Sequence, residues 1–317
     1  MNSYERSIFS AVSEGNMREA KKWLKQYSEY RIANSKTDKG WFERFASTLD
    51  KNTSVLIELP MNLKGMLVVE DPSLSLISKR YVPSQSDLDV LTKLENTFRV
   101  RDKLQDLAIN YVNGAIFHGE SGCGKTSLGR YLAARLNLPF AYLDFAEAIN
   151  SYMGKTAENI KRAFEFIKGR PCVFMIDEID AIGGERKSEG GVQGELNRVV
   201  ITLMQQLDLF GNDSILLFAT NRIDILDKAL LRRIPIHYEM SPMDDERRIK
   251  MVEAYLNTIP EASYDRAGIK SFLANFSPEE SNAVIMTSLI QWIVSRLAEG
   301  LPVSMCSEKP VEMSLFD

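Results

Sequence analysis

The sequence is poor in the residues from which metal sites and disulfide frameworks are built. It contains two histidines and three cysteines, and Cys123, Cys172 and Cys306 lie far apart with no C-x-x-C pair. Structural zinc sites and disulfide scaffolds need closely spaced cysteines and histidines. We therefore expect neither, and the odd number of scattered cysteines favours a reducing compartment.

The chain also lacks an excess of positive charge and any long apolar run. It carries 39 Lys and Arg against 43 Asp and Glu, a formal net charge of −4. Such a chain has no general basic field for nucleic acid, although a local basic patch stays open. Residues 1–25 carry charges throughout, and no apolar run reaches the roughly 18 to 20 residues of a membrane span. We expect a cytoplasmic protein without a membrane span.

The order of residue patterns along the chain predicts its organisation. Residues 3–50 have helical periodicity, residues 54–70 hold two strand-like runs that could pair as a hairpin, and residues 71–85 are rich in Pro and Ser. After Pro242 the strand signals stop, and helical patterns occupy residues 244–257, 266–275 and 279–299. The predicted parts are an N-terminal helical segment with a short hairpin (1–70), an α/β domain (71–241), a helical lid (242–303) and a flexible tail (304–317).

Residues 115–136, AIFHGESGCGKTSLGRYLAARL, combine an apolar strand, a glycine-rich loop and a helix. The loop fits the phosphate-binding pattern G-x-x-x-x-G-K-S/T in the strand-to-helix context that this pattern requires. Its glycines let backbone N–H groups turn towards phosphate oxygens at a helix start. Lys125 is expected to reach the β- and γ-phosphates, and the Thr126 hydroxyl to bind Mg²⁺. The expected nucleotide-binding residues of the loop are Gly119, Glu120, Ser121, Gly122, Cys123, Gly124, Lys125, Thr126 and Ser127.

Apolar runs of strand length alternate with helical segments after the loop. They occupy residues 140–145, 172–176, 215–219 and 236–238. Alternation of this kind predicts a parallel sheet covered by helices on both faces. The predicted fold class is α/β, a P-loop NTPase sheet sandwiched by helices with a small all-helical lid after it. A long polar helix over residues 86–110 is expected to lead into the loop strand.

Acidic residues follow a buried strand in residues 172–180, CVFMIDEID. Sites in parallel sheets lie beyond the carboxyl ends of the strands. Asp177 is therefore expected to hold the nucleotide's Mg²⁺ through water, and Glu178 to polarise the attacking water. A solvated acidic loop is the alternative for this stretch alone. Its combination with the phosphate loop favours hydrolysis.

Two further polar features follow later strands. Asn221, at the end of residues 214–222, could orient the attacking water beside Glu178 or serve as a turn residue. Arg232 and Arg233 stand side by side before a short strand. An adjacent pair of arginines usually lies on a solvated surface and has no catalytic role. It becomes catalytic only if a guanidinium reaches the γ-phosphate bound by a neighbouring copy.

These motifs together resemble the AAA ATPase module, over residues 75–300 but not in the N-terminal segment. The resemblance rests on GESGCGKT, SYMGKTAENIKRAFEF, FMIDEIDAIGGER and LLFATNRIDILDKALLRR in this order. It is strongest to the small branch that contains katanin, spastin and the ESCRT-disassembling ATPases. It implies a ring, usually hexameric, with ATP sites between subunits. The roles it implies are Walker A for Lys125 and Thr126, Walker B for Asp177 and Glu178, sensor 1 for Asn221, and fingers acting on the next subunit for Arg232 and Arg233.

Tyr152, Met153 and Gly154 match the aromatic, hydrophobic, glycine loop with which remodelling members of this family grip polypeptide in a central pore. An aromatic plate and a flexible thioether contact an extended chain of any sequence. Burial at a helix start is the alternative for these residues.

The phosphate loop departs from the family pattern, because Glu120, Ser121 and Cys123 replace two prolines and a threonine of its usual loop.

The combined prediction is an ATP-hydrolysing, homo-oligomeric ring that is hexameric and uses Mg²⁺. It would remodel, unfold or thread a protein substrate through its pore, with the N-terminal segment recruiting the substrate or an adaptor. The alternative is an ATP-dependent assembly switch on DNA or on a replication or transposition partner, without translocation. The tail EMSLFD, residues 312–317, faintly resembles a sliding-clamp-binding peptide and mildly favours this alternative. The net charge and the pore-loop match disfavour it.

Overall fold

A computed structural model of the protein describes residues 3–13, 17–34, 39–40, 42, 63, 65–71, 76–150, 156–182 and 191–307. Its helices are α1 Ser3–Ser13, α2 Met17–Asn34, α3 Ile77–Arg80, α4 Gln85–Arg99, α5 Arg101–Asp106, α6 Lys125–Leu136, α7 Phe145–Asn150, α8 Thr156–Ile167, α9 Gly191–Asp208, α10 Lys228–Arg233, α11 Asp245–Leu256, α12 Arg266–Leu273 and α13 Asn282–Ala298. Its strands are β1 Leu67–Glu70, β2 Gly114–His118, β3 Phe140–Asp144, β4 Val173–Asp177, β5 Ile215–Thr220, β6 Ile236–Glu239, β7 Ser263–Tyr264 and β8 Ser304–Met305. None of the helices described here is long and apolar enough to cross a membrane.

Six strands form the central sheet in the order β1-β3-β4-β5-β2-β6. Strand β1 pairs antiparallel with β3, whereas the other pairings are parallel. Strand β2, which carries the glycine-rich loop, therefore lies between β5 and β6. The carboxyl ends of β2, β4 and β5 meet at one edge of the sheet, where polar residues follow each of them.

Both faces of the sheet are buried. Because successive side chains of a strand point to opposite faces, neighbouring residues pack in different core clusters. Ile116 and Phe174 pack in one core cluster with apolar residues of α8, α9 and α10. Phe117 and Met175 pack in a second cluster with residues of α4 and α6. Gly129 of α6 lies so close to the sheet that a Cβ there would meet the Met175 sulfur at 2.9 Å. The predicted α/β fold, a parallel sheet between layers of helices, is confirmed.

The expected single helix over residues 86–110 is wrong, because the chain forms two helices, α4 and α5, that meet at Val100. The Arg101 guanidinium donates to the carbonyl of Phe98 at this break, at 2.9 Å. Beyond α5 the chain turns at residues 107–108, and the side chain of Asn113 donates to the carbonyl of Leu94 at 3.0 Å. This bond holds Asn113, the residue before β2, against α4.

Strand β1 forms the edge of the sheet, with Leu67 opposite Leu143 of β3. The other strand-like run of the predicted hairpin, VLIEL at residues 55–59, lies outside the described residues. Glu70 at the end of β1 binds Arg130 of α6 through two hydrogen bonds of 2.8 Å. A bidentate pair of this kind fixes the orientation of both side chains, so it connects the edge strand to the helix of the phosphate loop.

The predicted lid helices are present as α11, α12 and α13, and they share a separate apolar core with Val252, Phe272 and Leu289 at its centre. The expectation of an all-helical lid is wrong in one respect, because β7 and β8 pair in parallel. Asp265, which caps α12, also accepts hydrogen bonds from the backbone and hydroxyl of Ser307, at 3.0 and 2.9 Å. Residues 304–307 therefore belong to the folded lid and not to the expected tail, whose residues 308–317 lie outside the described part.

In the N-terminal segment, α1 packs against α2 through aromatic rings. The ring of Tyr4 lies 6.3 Å from that of Trp23, 6.0 Å from Tyr27 and 5.5 Å from Tyr30. These ring contacts join two helices within residues 3–50, where the sequence predicts helical periodicity. The recruitment role expected for this segment stays a prediction.

Candidate functional site

The glycine-rich loop connects β2 to α6, and its backbone geometry needs glycine. Gly119 has φ +145°, and a Cβ there would lie 2.5 Å from the carbonyl oxygen of Met240. Gly124 has φ +102° at the position before α6. Residues with side chains rarely adopt such angles. The loop therefore presents the first turn of α6, with its free N–H groups, to the cleft beside it.

The side chain of Lys125 fills the centre of this loop and is only 8% exposed. Its Nζ donates to the carbonyls of Gly119 and Glu120 at 2.9 Å each, and to Oδ1 of Asn221 at 2.8 Å. A buried ammonium needs such acceptors. The contacts place Lys125 and Asn221 side by side. The sequence predicts Asn221 beside Glu178, and its role there stays a prediction.

Thr126 and Asp177 also meet at this edge of the sheet. The Thr126 hydroxyl donates to Oδ2 of Asp177 at 2.8 Å. One hydroxyl and one carboxylate are the protein ligands that Mg²⁺ commonly takes at a nucleotide, where phosphates and water complete its shell. The two residues fit the metal that the sequence motifs imply.

Glu178 follows β4 directly and is held in an unusual backbone conformation. Its φ is +55°, and its N–H donates to Oδ1 of Asp177 at 2.9 Å. A left-handed conformation of a residue other than glycine stores strain and is often found at functional sites. Partial burial, together with the negative charges of Asp144, Asp177 and Asp180, raises the pKa of Glu178 above the ordinary glutamic acid value. The carboxylate is therefore a stronger base than a free one.

A hydrogen bond that sequence reasoning missed connects the ends of β4 and β5. The Thr220 hydroxyl donates to Asp180 at 2.9 Å and accepts from the N–H of Arg222 at the same distance. It fixes the turn that carries Asn221 relative to the turn that carries Glu178. Glu178 and Asn221 each come directly after a strand of the predicted sheet. That position was the available sequence signal for this contact.

The two adjacent arginines after β5 differ in their contacts. Arg233 donates to both oxygens of Asp208, at 2.8 and 3.1 Å, and to the carbonyl of Ala229 at 3.2 Å. Its guanidinium lowers the pKa of Asp208. Arg232 is exposed, and it has no ion-pair partner within the described ranges. Of these two arginines, Arg232 is therefore the one whose guanidinium is unpaired among the described residues.

A cleft of about 630 Å³ extends from the phosphate loop to the lid. One end is polar and includes Thr126, Asp177, Glu178 and Asn221. Most of the other end is apolar, and sequence reasoning missed its residues, which are Leu76, Ile77, Tyr81, Val82, Met243, Met251, Met286 and Ile290. Half of them lie in residues 71–85, the stretch rich in Pro and Ser. The apolar pair Leu76 and Ile77 was the available sequence signal there.

The loop also touches the lid. A Cβ at Gly122 would lie 3.0 Å from the side chain of Ser281, which caps α13, and 3.2 Å from Ala283. The expected pore loop, Tyr152, Met153 and Gly154, lies outside the described residues, between the end of α7 and the start of α8.

Comparison with known proteins agrees with this geometry. Residues 115–242 match the family model "ATPase family associated with various cellular activities (AAA)". A proteasome-activating nucleotidase of Pyrococcus abyssi is 32% identical over 219 residues, which cover 65% of this chain and 55% of the relative. The 26S proteasome regulatory subunit 6A of Saccharomyces cerevisiae is 41% identical over 135 residues, 41% of this chain and 31% of the relative.

A third relative, the uncharacterized AAA family ATPase y4kL of Sinorhizobium fredii, is 37% identical over 152 residues, 48% of this chain and 46% of the relative. The chain thus spans between 31% and 55% of the length of these three proteins. They do not single out the katanin and spastin branch expected from the sequence. The matched residues include the loop, the acidic strand end and the adjacent arginines, so residues 115–242 are similar to the AAA ATPase family.

Proposed function

We propose that the protein binds ATP with Mg²⁺ in the cleft between the phosphate loop and the lid, and hydrolyses it. The observation that carries this proposal is the convergence of four polar residues from three motifs, Lys125, Asp177, Glu178 and Asn221, at the mouth of one cleft. Phosphates would lie at the polar end, over the first turn of α6. The apolar wall suits the flat face of a purine.

Each residue has a role that its position supports. Lys125 and the loop N–H groups bind the phosphates, while Thr126 and Asp177 hold the metal, which neutralises phosphate charge when bound. Glu178, with its raised pKa, accepts a proton from the attacking water. Asn221 orients that water.

A direct test of the proposed hydrolysis is the release of phosphate from ATP by the purified chain with and without Mg²⁺. Absence of Mg²⁺-dependent release would contradict the proposal.

We further infer that the active form is a homo-oligomer, a hexameric ring, in which Arg232 serves the site of the neighbouring subunit. A guanidinium that completes a site in another copy must be free in its own chain. Arg232 meets this condition, whereas Arg233 is engaged with Asp208. The adjacent arginines followed by Ile234 and Pro235 also resemble the pattern of the katanin branch. Membership of that branch stays a proposal.

The work driven by ATP is, in this proposal, the remodelling, unfolding or threading of a protein. It is supported by the pore-loop pattern at residues 152–154 and by the named relatives, two of which are a proteasome regulatory subunit and a proteasome-activating nucleotidase. The N-terminal segment would recruit the substrate or an adaptor. No aspect of this proposal requires binding of nucleic acid.

A fluorescent reporter protein with an unstructured tail tests this work. We expect ATP-dependent loss of its fluorescence with the wild-type chain. Tyr152→Ala should abolish the loss and keep near-normal ATPase activity, while Tyr152→Phe, which keeps the aromatic plate, should retain both. Processing by Tyr152→Ala would refute the pore-loop role. ATPase activity stimulated by duplex DNA and not by the reporter would instead favour an assembly switch on DNA.

A further inference from the structure

Asp87, in the first turn of α4, has an unusual number of partners for a buried carboxylate. It is 1% exposed. Part of its role is local, because it forms a capping box with Ser84: the Ser84 hydroxyl accepts from the N–H of Asp87 at 3.0 Å, and Asp87 accepts from the N–H of Ser84 at 2.7 Å. A capping box uses only one acceptor site of the carboxylate. The remaining sites are free for other donors.

Three side chains from different parts of the fold occupy those sites. The hydroxyl of Tyr238, on β6, donates to Asp87 at 2.6 Å, and the hydroxyl of Tyr81 donates at 3.4 Å. The guanidinium of Arg247, on the first lid helix α11, forms a buried ion pair with the same carboxylate. Asp87 therefore connects the central sheet, residues 76–82 and the lid through one charged group.

The segment of residues 76–82, which we call the strap, is held from both sides. On the lid side, Arg247 donates to the carbonyl of Val82 at 3.0 Å, while Arg80 lies over the ring of Tyr255 at 3.9 Å. On the side of the phosphate loop, the Tyr81 ring lies 5.0 Å from that of Tyr131 in α6. The strap cannot move without breaking contacts with the lid or with the loop helix.

We propose that Asp87 is a positioning residue for the base of the bound nucleotide. Tyr81 and Val82 of the strap and Met251 and Tyr255 of the lid line the apolar end of the cleft, so a carboxylate that locks strap to lid sets the width of that end. The proposal rests on the proposed function, in that ATP occupies this cleft. The phosphate loop lies between β2 and α6, whereas the partners of Asp87 lie in residues 81–84, on β6 and on α11. Loss of Asp87 should therefore weaken binding of the base and not of the phosphates.

Asp87→Asn tests this directly, because it keeps the shape of the side chain and removes the charge that Arg247 faces. Affinities for ATP and for inorganic tripolyphosphate, both with Mg²⁺, would be measured by calorimetry on the full chain. We expect the Kd for ATP to rise about tenfold and the Kd for tripolyphosphate to stay within about twofold. Tyr238→Phe, which removes one neutral donor, should raise the Kd for ATP less, and it serves if Asp87→Asn does not fold.

The matched control is Glu95→Gln on the same helix. Glu95 is also buried, 5% exposed, and pairs with Arg135 of α6 through bonds of 2.6 and 3.2 Å, a pair that includes no residue of the strap or the lid. We expect it to change neither Kd. Equal losses of ATP and tripolyphosphate affinity, or an ATP affinity of Asp87→Asn equal to that of Glu95→Gln, would overturn the positioning role. A wild-type chain that binds tripolyphosphate but not ATP would overturn the proposed function as well.

Discussion

Lys125 donates a hydrogen bond to Oδ1 of Asn221 across 2.8 Å, which connects the first residue of the loop helix to the residue after β5. The ammonium has three N–H groups, and its other acceptors are the carbonyls of Gly119 and Glu120 and, at 3.7 Å, the sulfur of Cys123. A phosphate oxygen can therefore reach Lys125 only by displacing one of these partners. Displacement of Asn221 would free its amide for the attacking water.

This arrangement predicts different effects for the two residues. Lys125→Ala should weaken ATP binding by about 100-fold, because a charge-assisted contact to phosphate is lost. Asn221→Ala should lower kcat by about 10²- to 10³-fold, as expected for a lost polar group that acts in the transition state, and leave ATP affinity nearly unchanged. Equilibrium binding of a fluorescent ATP analogue and steady-state ATPase assays check both. Equal losses of affinity would contradict separate roles.

The raised pKa of Glu178 predicts the acid side of the pH profile. Only the carboxylate accepts a proton from water, so kcat should rise with pH through this pKa, at higher pH than for a free glutamic acid. Asp144 is one of the negative groups that raise it. Asp144→Asn should therefore move the rise to lower pH. The control is Glu147→Gln, at an exposed position of α7, whose profile should match wild type. A shift to higher pH in Asp144→Asn would refute the assignment.

The different contacts of the adjacent arginines predict which one acts on the neighbouring subunit. Arg232→Ala should abolish ATPase activity with little change in unfolding free energy, because its side chain is exposed. Arg233→Ala should retain a measurable fraction of the activity and lose the contact to Asp208, which is solvent-exposed and contributes at most ~1 kcal/mol.

Mixing tests the shared site. Arg232→Ala and Lys125→Ala rings should each be inactive, and mixed rings, verified by native mass spectrometry, should regain part of the activity. Verified mixed rings without recovery would argue against a site completed by the neighbour.

Close packing of α6 on the sheet predicts a cost for a single methyl group. In Gly129→Ala the new Cβ would meet Met175 at 2.9 Å, Phe140 at 3.1 Å and Leu217 at 3.2 Å, which should lower the unfolding free energy by ~1–3 kcal/mol. Gly211→Ala is the control, since its Cβ would meet only Asp213 at 4.0 Å, and it should change stability by less than ~0.5 kcal/mol. Denaturant titration compares the two, and equal stabilities would be inconsistent with this packing.

Features predicted correctly from the sequence are those encoded in contiguous residues. The buried strands of the sheet form continuous apolar runs, so β3, β4 and β5 were predicted to within a residue of their ends. The loop pattern, the acids after β4 and Asn221 after β5 follow the strand ends directly. Because parallel strands point the same way, the fold class alone predicts that the residues after these strand ends lie close together.

Features that depend on contacts between distant residues could not be predicted. The sequence around Asp87 indicates an ordinary capping residue, and its bonds to Tyr238 and Arg247 join residues 151 and 160 positions apart in the chain. The pairing of Arg233 with Asp208, which leaves Arg232 free, depends on how α10 packs near the end of α9. Strands β7 and β8 are two residues long each, too short for a periodic signal.

The most direct test of the account is one sample of Glu178→Gln, in which bound ATP and ATP turnover are both measured. The amide keeps the size of the side chain and cannot act as a base. We predict ATP affinity close to wild type and a kcat lowered by about 10²- to 10⁴-fold, the usual contribution of a general base. Turnover at the wild-type rate would contradict the assignment of Glu178, and loss of ATP binding together with turnover would contradict the separation of binding from hydrolysis at this site.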